Sequence, residues 1–224
     1  MKIKSKSKKI NKAWLNDHIN DTYVKLAKID GYRARAAYKL KEIDEAMGLI
    51  RPGQVVVDLG SAPGAWSQYL RRRFAPKAAG VGGAAVGELL GTIIALDILP
   101  MEPIEGVQFI QGDFREDSVL AQVEAALGGR AVDLVVSDMA PNITGIAAAD
   151  QARSLHLCEL ALDFSRKHLK LGGNFLVKTF QGSGFAEFQF AMRESFKAVA
   201  SRKPDASRGR STEMYLLGKG FADR

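Results

Sequence analysis

The chain has 224 residues, 46% of them hydrophobic, which suits one α/β domain with a sizeable core. A formal charge of +7, from 32 Lys and Arg against 25 Asp and Glu, favours a polyanionic partner and is silent about fold. The single cysteine, Cys158, excludes an intrachain disulfide. His18, His156 and His168 are scattered without zinc-site spacing, so no metal is expected, and no apolar run is long enough for a bilayer. Met1–Lys6 lacks the apolar stretch of a secretory signal, so a cytoplasmic protein is expected; a monomer is expected as well.

Residues 1–12 carry Lys2, Lys4, Lys6, Lys8, Lys9 and Lys12 with no acid, and read as a flexible basic arm. Such an arm either adds salt-sensitive affinity for nucleic acid or is a solvated tail. Residues 13–224 read as one domain. Apolar positions at helical spacing predict a helix over 33–48, broken by Leu49-Ile50-Arg51-Pro52-Gly53. Gln54–Leu59 reads as a buried strand entering a glycine turn, followed by a helix over 64–74. The Ala/Gly-rich stretch at about 77–90 reads as a low-complexity insertion. Strands are predicted at 92–97 and 107–110, a helix at 116–127 and a strand at 132–137. A long helix from about 149 to 170 is expected to stop at Leu171-Gly172-Gly173. A strand at 174–178, a helix near 185–196 and two strands at 197–202 and 214–217 complete the chain. This alternation predicts a mostly parallel sheet with helices on both faces.

The chemistry-bearing residues gather at predicted strand ends. Asp58-Leu59-Gly60-Ser61-Ala62-Pro63-Gly64-Ala65-Trp66 is a strand, an acid and a glycine turn into a helix, the position at which open α/β sheets bind ligands. It is not the dinucleotide fingerprint, because Gly60 and Gly64 are too far apart and Pro63 removes an amide. A cofactor without phosphates suits it, the alternative being an ordinary strand-to-helix turn. Asp97, closing the second strand, can accept hydrogen bonds from ribose hydroxyls, and Asp113, after the third, one from an adenine amino group. Ser137-Asp138-Met139-Ala140-Pro141-Asn142 closes the fourth strand and Lys178-Thr179-Phe180-Gln181-Gly182 the fifth. A lysine at the end of an apolar strand either snorkels to solvent or pairs with an acid, which puts Lys178 beside Asp138.

Together these segments, with Gln111–Arg115 and Arg202-Lys203-Pro204-Asp205, resemble the FtsJ/RlmE family of ribosomal RNA ribose 2′-O-methyltransferases over roughly residues 12–219. The resemblance implies a Rossmann-like class I S-adenosylmethionine-dependent fold with a seven-stranded, mostly parallel sheet. It implies a Lys-Asp-Lys-Glu tetrad at Lys39, Asp138, Lys178 and Glu213, with cofactor contacts at Asp58, Gly60, Gly64, Trp66, Asp97, Asp113 and Asp138. The implied substrate is a uridine of 23S rRNA, within the large ribosomal subunit or a late precursor. Two departures stand out. Ala65 replaces a second glycine and narrows the approach to the cofactor slightly, and the 77–90 insertion unsettles the local alignment.

The implied reaction aligns a 2′-oxygen, the methyl carbon and sulfur, with a proton removed from the hydroxyl. An unperturbed lysine has a pKa of about 10.4, so Lys178 as base needs a lowered value; otherwise it orients the hydroxyl and water takes the proton. Lys39 and Glu213 are assigned to orienting the ribose and Lys178. Arg33 and Arg35, near the start of the helix carrying Lys39, and Arg202, Lys203, Arg208 and Arg210, before Glu213, are expected to meet RNA phosphates. A 2′-O-methyltransferase of tRNA or mRNA caps, and a non-catalytic RNA-binding assembly factor of the same fold, remain as alternatives.

Overall fold

The computed structural model describes residues 21–75, 88–207 and 211–222. The basic arm, most of the Ala/Gly-rich stretch, Arg208 and Arg210 lie outside the described residues. In chain order the elements are α1 (Thr22–Ile29), α2 (Ala36–Met47), β1 (Val55–Leu59), α3 (Ala65–Arg73), β2 (Thr92–Asp97), β3 (Val107–Gln111), α4 (Asp117–Leu127), β4 (Val132–Ser137), α5 (Ala147–His168), β5 (Leu169–Phe180), α6 (Phe185–Ser195), β6 (Phe196–Arg202) and β7 (Glu213–Phe221).

The strands form one seven-stranded sheet of order β3-β2-β1-β4-β5-β7-β6. Pairings from β3 through β5 are parallel, and β7 runs antiparallel to both neighbours. The period of two along each strand sorts apolar residues onto two faces. Val57 and Leu59 of β1, Val135 of β4 and Val177 of β5 pack with α4, α5 and α6. Val56, Leu134, Val136, Leu176 and Tyr215 pack on the other face with Leu40 and Ile43 of α2 and Trp66 and Leu70 of α3. The central strands are buried on both faces, which is why they read as near-continuous apolar runs.

The chain leaves β1 in one direction and returns to β4 on its other side. That reversal opens a crevice at the carboxyl ends of β1 and β4, where open α/β sheets hold ligands.

Two features depart from the sequence reading. Helix α1 was not anticipated: the Asp21 side chain caps it by accepting from Tyr23 N (2.9 Å) and Val24 N (3.3 Å), and Ala27 packs against Tyr38 and Ala206. The long helix ends at His168, before the glycines, and Leu169 already pairs with Val132. The next matched pair is Leu134 with Asn174, so residues 170–173 bulge from the strand. Gly172, at φ 80°, permits this bulge, and a Cβ on Gly173 would lie 2.9 Å from the Lys170 carbonyl oxygen. The two glycines shape a strand rather than stop a helix.

Candidate active site

The turn after β1 is built by backbone constraints. Gly60 has φ 77°, and a Cβ there would lie 2.8 Å from Met139 Cα and N, so the loops after β1 and β4 close on each other only because this residue is glycine. Gly60→Ala combines left-handed strain with a backbone clash. We expect a loss of about 3 kcal/mol or more, read as a lowered midpoint in urea unfolding.

Asp58 lies beneath this turn and is fully buried. Its Oδ2 accepts the Ser67 hydroxyl at 2.6 Å, while its Oδ1 has no partner. Burial, then the nearby negative charges of Asp138 and Asp97, push its carboxyl up to about 7, against the pull of the Ser67 hydrogen bond. The buried Ser61 hydroxyl is also without a partner. Two unpartnered polar atoms at the end of β1 and in its turn are costly unless something else satisfies them.

Asp97 accepts from the backbone amides of Ala62 and Leu99, both at 2.8 Å, and so ties β2 to the turn. Ile98 and Leu99 beside it expose large apolar surfaces. Asp113 is paired with Arg115 (2.6 Å), whose hydrogen bonds hold its carboxyl down to about 2. The Trp66 side chain is buried in the core, with its indole N–H donating to Ala36 O at 2.8 Å. Any contact it makes in the crevice falls to its backbone amide, in a helical first turn that leaves amides without helical acceptors. Gly64 precedes this helix, and a Cβ there would lie 2.7 Å from Arg33 Nη1. Ala65, the first helical residue, is buried.

The four positions of the expected tetrad come from α2, the residue after β4, β5 and β7, and they fall into two ion pairs. Lys178 Nζ lies 3.2 Å from Asp138 Oδ1 and donates to the Asp138 carbonyl oxygen. Lys39 Nζ, from α2, lies 2.6 Å from Glu213 Oε1. Both pairs are largely buried, with the Lys178 side chain only 7% exposed. Antiparallel pairing sets Lys178 opposite Tyr215 and Phe180 opposite Glu213, which brings the end of β5 to the start of β7. Tyr215 connects the pairs: its hydroxyl donates to Asp138 Oδ1 at 2.8 Å, and Lys39 Nζ sits 5.9 Å from its ring centroid.

Among the described residues, the cations expected to face RNA, Arg33, Arg35, Arg202 and Lys203, are engaged within the protein. Arg33 and Arg35 precede α2 rather than lying on it, because the helix begins only at Ala36. Arg33 donates to the carbonyls of Pro63, Glu102 and Pro103, bracing the turn before α3. Arg35 pairs with Asp21 and donates to Ala206 O. Arg202 donates to Met47 Sδ and Ser201 O. Lys203 Nζ donates to the carbonyls of Ser211 (2.6 Å) and Glu213 (3.3 Å). Sequence reasoning missed Tyr215 and Ser207, the latter donating to Glu213 Oε1 at 2.9 Å. Tyr215, two residues after Glu213 in a strand, shares its face, a period-two signal that was available. Nothing local marks Ser207.

A seven-stranded sheet of this order, with β7 antiparallel and acids at the strand ends, is the fold of class I S-adenosylmethionine-dependent methyltransferases. The FtsJ-like methyltransferase family model matches residues 32–221, and the chain belongs to that family. It is 65% identical, over the full length of both chains, to a protein of Methylibium petroleiphilum named ribosomal RNA large subunit methyltransferase E. It is 64% identical, over 99% of each chain, to a protein of the same name in Paracidovorax citrulli. Among solved structures, a ribosomal RNA methyltransferase from Plasmodium falciparum superposes with a TM-score of 0.72 at 29% identity, covering 86% of this chain and all of that one.

Proposed function

We propose that this protein transfers a methyl group from S-adenosylmethionine to a ribose 2′-oxygen of large-subunit ribosomal RNA, at a uridine of the 23S molecule. The observation that carries the reading is the pair of buried ion pairs, Lys178–Asp138 and Lys39–Glu213, at the carboxyl end of the sheet beside an acid-lined crevice. The names borne by relatives at 64–65% identity support ribosomal RNA over tRNA or a cap.

The residues present fit the cofactor. Asp58 Oδ1 and the Ser61 hydroxyl, buried and unpartnered, suit an ammonium group. The exposed Ile98 and Leu99 offer apolar surface to an adenine next to Asp97 and Asp113, which have acceptor capacity for ribose and adenine donors. When bound, the cofactor supplies an electrophilic methyl on a sulfonium.

The chain supplies geometry and proton handling. Asp138 aims Lys178 through its carboxylate and its carbonyl, which makes Lys178 Nζ the candidate acceptor of the 2′-hydroxyl proton as that oxygen attacks. Glu213, held by Lys39 and Ser207, orients the acceptor ribose. In this reading RNA phosphates engage Arg33, Arg35, Arg202 and Lys203 by exchange with their internal partners.

The test incubates the purified protein with labelled S-adenosylmethionine and either intact large subunits or naked rRNA. The modified position is then mapped by primer extension at low nucleotide concentration. A single 2′-O-methyluridine in 23S rRNA is expected. Label on a base, or no transfer to either substrate, would overturn the reading.

A further inference from the structure

We propose that Tyr215 is a positioning residue that joins the two ion pairs of the site into one unit. It aims Asp138 with its hydroxyl and supports Lys39 with its ring. The inference rests on the reading above, in which Asp138 orients Lys178.

Tyr215 is fully buried, on the sheet face covered by α2 and α3, and packs 5.8 Å, centroid to centroid, from the Trp66 ring. A phenylalanine would satisfy that packing, since a buried hydroxyl gains nothing from an apolar wall and needs a partner. The hydroxyl meets Asp138 Oδ1, the oxygen that also faces Lys178 Nζ. Asp138 is thus gripped at one oxygen from two directions, by Tyr215 of β7 and Lys178 of β5, while its backbone N–H donates to Leu59 O at 3.0 Å. Burial, together with Asp138 and Glu213, raises the phenol well above its ordinary range, so it stays a donor wherever the enzyme works. On its other side, the ring offers a π-face to Lys39, which grips Glu213. Tyr215 contacts a member of each pair and lies cross-strand from Lys178.

Tyr215→Phe removes the hydroxyl and keeps the ring. The carboxylate then loses one of its two anchors and Lys178 loses its aim, a displacement of the kind that lowers turnover by about 10-fold or more. We expect kcat to fall by about that factor, with KM for the large subunit and Kd for S-adenosylhomocysteine each within about twofold of wild type. Tyr215→Leu removes the ring as well and is expected to add a rise in KM through Lys39. Circular dichroism melting and S-adenosylhomocysteine titration of both variants establish that each is folded. A Tyr215→Phe protein with kcat within twofold of wild type overturns the inference. So does a fall in kcat matched by an equal loss of cofactor affinity, which marks a packing role. A Lys178→Ala protein of full activity sinks the underlying reading instead, so the two failures are distinguishable.

Discussion

Lys178→Ala is expected to lower methyl transfer by at least about 100-fold while leaving Kd for S-adenosylhomocysteine within about threefold of wild type. The separation follows from where the lysine sits. It closes β5 against Asp138, whereas the buried polar atoms left unpartnered, Asp58 Oδ1 and Ser61 Oγ, belong to β1 and the turn after it. Its loss also strands Asp138, which keeps only the Tyr215 hydroxyl at Oδ1. Lys178→Arg is expected to fail as well, because a guanidinium stays charged at working pH and cannot accept the proton. Single-turnover methylation of large subunits alongside calorimetric titration reads both quantities. A Lys178→Ala protein that transfers methyl at the wild-type rate rules out the proton-acceptor role and every orienting role for this side chain.

Asp58→Asn is expected to weaken S-adenosylhomocysteine binding by about 2 kcal/mol, the worth of a hydrogen bond to a charged group, and to flatten the dependence of stability on pH. The sign follows from the shift. In the unfolded chain this carboxyl titrates at its ordinary value of 3.8, while in the folded protein it titrates at about 7. Between those values the folded state holds more protons than the unfolded state, so stability falls as pH rises. The contribution is fully present below about pH 4 and is lost by about pH 7, on the order of 4 kcal/mol across the window. A bound ammonium group favours the ionised carboxylate, so cofactor binding near pH 6 is expected to release a proton. Calorimetry in buffers of different ionisation enthalpy measures that release, and denaturant melts of wild type and Asp58→Asn from pH 4.5 to 8 measure the slope. Parallel stability curves for the two proteins would remove Asp58 from the pH response.

The fold was largely legible in the sequence because the central strands are short apolar runs ending in an acid or a lysine. The predicted strands at 92–97 and 132–137 match the observed spans of β2 and β4. Helix α1 escaped because its stability comes from the Asp21 cap and from packing Ala27 under Tyr38 and Ala206, a contact with a segment far along the chain. The boundary between α5 and β5 escaped because Gly172 and Gly173, which end helices in isolation, here accommodate a bulge that β4 imposes by pairing with Leu169.

By itself the sequence determined where the candidate residues sit in the fold. An acid or lysine near the end of a buried strand is confined to the sheet's carboxyl edge by the strand's own direction, so local pattern placed Asp58, Asp97, Asp138 and Lys178 there, while their expected roles came from the family resemblance. Only the tertiary structure decided their partners. Lys39 reaches Glu213 because α2 packs over β7, and Tyr215 meets Asp138 because an antiparallel strand was inserted beside β5. The arginines show the same limit, since the sequence offered Arg33 and Arg35 as RNA contacts and carried no sign of the carbonyls and Asp21 that the folded chain brings to them. Partner choice depends on contacts between residues distant in sequence, and local propensity carries no record of them.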